Sequence, residues 1–152
     1  MSVSSADRIA DSLISLAYSN RSELTNLKLQ KLLYYSQAWH LALFGKTLFE
    51  EDFEAWVHGP VVPAIFRKYR SYKWGPIANV SDAPQDARAH LEEVWRVYGS
   101  LSAFDLERLT HSEEPWKQAR NGLAPDASSH EVITKRSMQT FYSTVLHEQQ
   151  KT

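Results

Sequence analysis

Six histidines and one dense group of acids are the residues of this chain with the most chemical reach. The histidines stand singly at positions 40, 58, 90, 111, 130 and 147. No two have the spacing that sets a pair of imidazoles on one helix face around a metal. Glu50, Glu51, Asp52 and Glu54 lie close together. Paired carboxylates can move protons or hold a divalent cation, although adjacent acids on a loop ordinarily face water. His111 beside Glu113 and Glu114 has the make-up of a base with an orienting acid, but no nucleophile accompanies it. With no Cys, the chain has no disulfide, thiolate zinc site, iron–sulfur cluster or Cys nucleophile. It contains no G-x-S-x-G elbow, no P-loop and no G-x-G-x-x-G run. These residues predict no catalytic group, no metal ligand and no cofactor, and a protein that is not an enzyme.

The elements that hold these residues are legible from patterning. A chain of 152 residues suits one domain, 1–152, burying roughly 70% of its unfolded surface without a staple. Apolar residues make up 43% of it, which excludes a disordered chain. No apolar run is long enough to span a membrane, and the start of the chain, with Asp7 and Arg8, is no signal peptide. A cytoplasmic protein is expected. Net charge is −1, but unevenly spread: residues 55–81 hold Arg67, Lys68, Arg70 and Lys73 and no acid. Such an island is either a solvated helix face or a contact for an acidic partner. Aromatics around it, Tyr69, Tyr72 and Trp74, add interface anchors. They also have the make-up of a single-strand nucleic-acid stack, but four charges make a thin footprint for that, and nucleic acid is not the expected partner.

Ser4 and Ser5 ahead of Asp7, with Ile9, Leu13, Leu16 and Ala17 at helical spacing, predict a helix over 5–18. Thr25 caps a second helix that runs to Phe44 and stops at Gly45. It is apolar nearly all round, so it belongs at the centre of a core. Residues 53–58 alternate with a period of two, as a short strand or extended segment does. Pro60 suits the first turn of a third helix, 61–72, with Val61, Val62, Ile65, Tyr69 and Tyr72 inward. A fourth helix spans 85–98, with Gly99 past its end. Ser102 and Asp105 form a capping box for a fifth, to Thr110. Ser112 caps a short sixth with Trp116 inside, followed by a loop over 123–129. Thr134 caps a last helix to 147 with Met138, Phe141, Tyr142 and Val145 inward. The fold class is therefore all-α: one compact domain of about six or seven helices around a central buried helix, 25–44, with room for a small β element near 48–58.

The central helix carries Leu27-Lys28-Leu29-Gln30-Lys31-Leu32-Leu33-Tyr34-Tyr35, then Ala38-Trp39. Leu48-Phe49 follows, then Ala55-Trp56-Val57-His58-Gly59-Pro60-Val61, then Ile65-Phe66. Leu109-Thr110-His111 and Pro115-Trp116 come later. In this order the motifs resemble the Panacea-domain antitoxin family (SocA/GepA-like), over roughly residues 5–146. The resemblance implies an antitoxin of a toxin–antitoxin system, often phage-associated. It would neutralise a cognate toxin, encoded beside it, by direct protein–protein binding. The alternative it implies is a proteolytic adaptor that hands the toxin to a ClpXP-type protease. Some members carry an added helix-turn-helix region, which is not expected here.

Leu29, Gln30, Lys31, Leu32, Tyr34, Tyr35, Trp39, Trp56, Gly59, Pro60, Val61, His111, Pro115 and Trp116 are then family-motif residues, either scaffold or partner surface. Gln30 and Lys31 either cap neighbouring chain ends or snorkel to solvent, or else they shape the toxin-facing surface. Trp56 and His58 share that ambiguity. The candidate partner-binding set is Lys31, Trp56, His58, Arg67, Lys68, Arg70 and Lys73. The loops 74–85 and 122–130 are a further place for a toxin-specific surface.

Overall fold

A computed structural model describes residues 2–151; Met1 and Thr152, which the expected domain includes, lie outside the described residues. In chain order the elements are α1 (Ala6–Ser19), α2 (Asn26–Phe44), β1 (Phe53–Trp56), β2 (Gly59–Val61), α3 (Pro63–Lys68), a 3₁₀ turn (Arg70–Tyr72), α4 (Arg88–Tyr98), α5 (Ala103–Ser112), α6 (Glu114–Arg120), β3 (Val132–Ile133) and α7 (Lys135–Gln150). The fold is mainly helical with α2 as its pillar, and α1, α4, α5 and α7 pack around it. Local signals set several of the ends. Ser5, Thr25 and Thr134 each accept a hydrogen bond from the backbone N–H three residues on. Ser102 and Asp105 form the reciprocal capping box. Gly45 closes α2 in the left-handed region, φ 64°. Among the described residues no helix is long and apolar enough to cross a membrane.

α2 is buried on nearly every side, including Asn26, Gln30, Lys31, Ser36, Gln37 and His40. These polar side chains have a shared task. The chain from Lys46 to Phe66 runs back along α2, mostly without helix to satisfy its peptide groups. His40 Nδ1 donates to Lys46 O at 2.6 Å. Gln37 Oε1 accepts from Leu48 N at 2.7 Å, and Gln37 Nε2 donates to Phe49 O at 2.6 Å. Lys31 Nζ donates to Pro60 O at 3.3 Å. Gln30 Oε1 accepts from Val62 N at 2.9 Å, and Asn26 Nδ2 donates to Phe66 O at 2.9 Å. Gln30 is steadied in turn by Asn26 Oδ1 at 3.0 Å. The helix therefore acts as a polar ladder inside an apolar core, because a buried peptide group without a partner is costly.

The β element is larger than expected. The hairpin β1–β2 pairs Ala55 with Pro60 and Trp56 with Gly59, and β3 adds to the other side of β1. Pro60 is thus not the start of a helix. It sits in the edge strand β2, where its missing N–H leaves no ladder bond unmade. The proline at the start of α3 is Pro63. The expected helix over 61–72 shrinks to 63–68 plus the 3₁₀ turn, and Tyr72 is 39% exposed instead of inward. β3 is too short to leave a periodic signal. Ser112 does not cap α6: it ends α5, donating to Leu109 O at 2.7 Å, and Glu113 takes the cap position without a side-chain cap bond. α4 starts at Arg88, three residues late, because Ala87 takes a left-handed turn, φ 54°. Phe141 and Val145 on α7 are half-buried, while Met138 and Tyr142 are fully inward.

Replacing Gln37 by Ala strands the Leu48 N–H and the Phe49 carbonyl together. The expected cost is about 3 kcal/mol, seen as a lower urea midpoint. A loss below about 1 kcal/mol would show that these groups find other partners.

Candidate functional site

The motif residues gather where the β1–β2 hairpin meets α2, α5 and α6. Lys31 is 1% exposed and aimed at the hairpin. Gly59 makes that approach possible. Its φ is +105°, and a Cβ there would lie 2.8 Å from Lys31 Cε and 3.0 Å from Thr110 Oγ1. Burial lowers the Lys31 pKa to about 7, partly opposed by the Glu107 carboxylate. Glu107 also meets His58 Nδ1 at 3.0 Å, on the exposed rim. Of the alternatives the sequence left open for Lys31, snorkelling does not occur: its Nζ is spent on a backbone carbonyl.

Behind the hairpin, Trp116 holds three groups. Its Nε1 donates to Trp56 O at 2.8 Å. Its ring stacks on His111 with centroids 3.9 Å apart, and the Arg120 guanidinium lies 4.6 Å from it. Burial pushes the His111 pKa down. Arg120 is buried, donating from Nη1 to Ala55 O at 2.9 Å and from Nη2 to Ala124 O at 2.9 Å and to Ala127 O. One arginine thus ties β1 to the 121–130 loop. Sequence reasoning missed it, since an Arg on a short helix before Gly carries no sign of burial. It missed Glu107 and the bonding of Gln37 as well, although Gln37 stands two helical turns after Gln30 on a helix that is apolar almost all round. Trp56 is half-buried, with Nε1 on Glu54 Oε1 at 2.9 Å and its ring against Phe66 and His130.

The other motif residues lie elsewhere. Leu29, Leu32, Val61 and Pro115 are buried. Glu113 turns away from His111: it accepts from Tyr35 OH at 2.6 Å and Tyr142 OH at 2.8 Å. Tyr34 OH lies 3.2 Å from Tyr142 OH, and Trp39 Nε1 donates to Tyr98 OH at 2.7 Å. Burial raises the Glu113 pKa, and the two tyrosine donors hold it back. This network pins α7 and α6 to the pillar. The acids at 50–54 disperse to separate partners. Glu51 accepts from Ala6 N at 3.2 Å, Asp52 pairs with Lys135 at 2.5 Å, and Glu54 binds Trp56 and His130. Proton transfer by His111 with Glu113, or by the acids together, therefore lacks the geometry it needs.

The basic island is on the surface. Arg67, Lys68, Arg70 and Lys73 are exposed. Lys68 pairs with Asp7 at 2.5 Å; among the described residues the other three have no ion pair.

The family described as "Antitoxin SocA-like, Panacea domain" matches residues 29–117, from the first turn of α2 into α6. Antitoxin SocA of Caulobacter vibrioides (strain NA1000 / CB15N) is 32% identical, with 77% of this chain and 71% of that protein covered. No solved structure matches the chain.

Lys31 imposes a pH dependence. Its folded pKa of about 7 lies below the 10.5 of a free lysine. Below pH 7 both folded and unfolded chains carry the proton, and the burial penalty stands in full. Between pH 7 and 10.5 only the unfolded chain still holds it, so stability rises with pH. Urea unfolding across that window should show a rise in the wild type that Lys31→Met lacks; equal slopes would refute it. Gly59→Ala should cost about 2–4 kcal/mol by the same measurement, through strain and overlap with Lys31. A change within about 0.5 kcal/mol would show that the hairpin can move away.

Proposed function

The chain belongs to the SocA-like Panacea-domain family, and from that premise we propose that it is an antitoxin that neutralises a cognate toxin by binding it directly. The observation that carries the reading is the inward use of the motif's polar groups. Gln30 and Lys31 are spent on backbone N–H and C=O groups of the same chain, as is Arg120 just beyond the motif. Their work is to hold a shape. Recognition then falls to the exterior that this shape presents, and it needs no cofactor. A binder of this kind acts in the cytoplasm, beside the ribosomes that make its toxin.

Co-expression with the product of the adjacent gene tests the reading. That product alone should arrest growth. This chain should restore growth, and the two should co-elute as one complex. A product that is harmless alone, or still toxic in the presence of this chain, refutes the antitoxin reading. Restored growth with no stable complex, and toxin lifetime shortened only when a ClpXP-type protease is present, replaces direct binding by delivery to the protease.

A further inference from the structure

The ridge from Arg67 to Trp74 has features that the interior packing does not use. Arg67, Arg70 and Lys73 recur every third residue, and the 3₁₀ turn that contains the second repeats every three. Arg67 lies in the last turn of α3, Arg70 opens the 3₁₀ turn and Lys73 follows it, and all three are exposed. None of the three is ion-paired among the described residues, and no acid occurs from 55 to 81. The ridge ends in a tight turn, with Gly75 N on Tyr72 O at 2.9 Å. Lys73 occupies its second position at φ 55°, ψ −118°, a conformation suited to glycine. The turn lifts Trp74 into solvent, 78% exposed, beside the 39% exposed Tyr72. A large indole in water and a lysine where glycine would relax the backbone are local costs with no internal return, and the three cations beside them are free to meet opposite charge. Strain and exposed aromatic surface of this sort concentrate where proteins meet partners.

We infer that this ridge is the docking surface for an acidic protein partner, with Trp74 as the apolar anchor and Arg67, Arg70 and Lys73 as its charged rim. The inference rests on the antitoxin reading and identifies the partner's face by its chemistry: a recess for an indole bordered by Asp and Glu. Tryptophan and arginine are the residue types that carry binding energy at protein interfaces. A nucleic acid fits less well. Asp7 and Asp11 of α1 flank the ridge, one on Lys68 Nζ and the other near Tyr69 OH. These acids would repel a continuous phosphate backbone, whereas a folded partner can offer carboxylates only where the cations stand.

The test titrates the purified product of the adjacent gene with this chain at low and at raised salt. Wild-type affinity should fall as salt screens the rim. The triple variant Arg67→Glu, Arg70→Glu, Lys73→Glu should bind about 100-fold more weakly, and Trp74→Ala about 10-fold more weakly. Both should melt with the wild type, since these side chains make no internal ion pair. Lys73→Gly separates strain from contact: its Tm should rise by about 2–4 °C while its affinity falls. Variants that bind like the wild type overturn the ridge and leave the antitoxin reading standing. A wild type that binds nothing overturns the ridge and direct binding together, and the growth assay above then decides whether the chain is an antitoxin at all. Tighter binding to a mixed-sequence single-stranded oligonucleotide than to the protein, lost in the triple variant, assigns the ridge to nucleic acid and overturns the inference.

Discussion

A peptide group buried without a partner costs about 1–3 kcal/mol, and between Lys46 and Phe66 this protein lays a largely non-helical stretch of chain along a core helix. Helices satisfy their own backbone and sheets satisfy each other, but a segment that is neither must borrow donors and acceptors. Here α2 lends them. His40, Gln37, Lys31, Gln30 and Asn26 descend the helix as Lys46, Leu48, Phe49, Pro60, Val62 and Phe66 pass by in the opposite direction. The leucines of α2 supply the driving force for burial. Its amides and its lysine decide which chain lies against it and in which register. An α2 made only of leucine would be greasier and would hold nothing in place.

The hairpin shows how tightly that register is drawn. Gly59 stands at the closest approach, with Lys31 on one side and Thr110 on the other. Pro60 is tolerated because β2 is an edge strand, and its free carbonyl is the one Lys31 needs. From behind, Trp116 and Arg120 take the carbonyls of Trp56 and Ala55. The hairpin is thus gripped on two sides by cations and ring N–H groups bonded to carbonyl oxygens. A buried cation held this way carries a desolvation penalty, visible in the depressed pKa of Lys31. That penalty is consistent with a residue whose work is the geometry it enforces.

The exterior of the protein is uneven. Several surface charges are locally matched: Arg8 with Asp86, Arg96 with Glu93, Lys135 with Asp52. Exposed pairs like these contribute little to stability, but they neutralise the surface. The Arg67–Trp74 ridge brings together three cations without an ion pair among the described residues, an exposed Trp and a left-handed Lys. It lies on the short α3 and the turn after it, away from the tyrosine network that pins α7.

Patterning in the chain was enough for the pillar, because a helix apolar on every side can only be central, and enough for the caps at Ser5, Thr25, Ser102 and Thr134, which act over three residues. It was enough for the family, since the ordered motif is itself a string of letters. It also located the basic island. What it could not reveal was where each polar side chain of the pillar points its bonds. Gln30, Lys31 and Gln37 look alike on a helical wheel, and their partners lie 11 to 32 residues away. Pro60 and Pro63 are equally good helix starts by local rules; only the pairing of Ala55 with Pro60 chooses between them. The same holds for Glu113, which local spacing offers to His111 and which packing gives to Tyr35 and Tyr142. Interactions spanning one helical turn are written in adjacent residues. Those that close across the core depend on which surfaces meet, and that was decided by the tertiary structure alone.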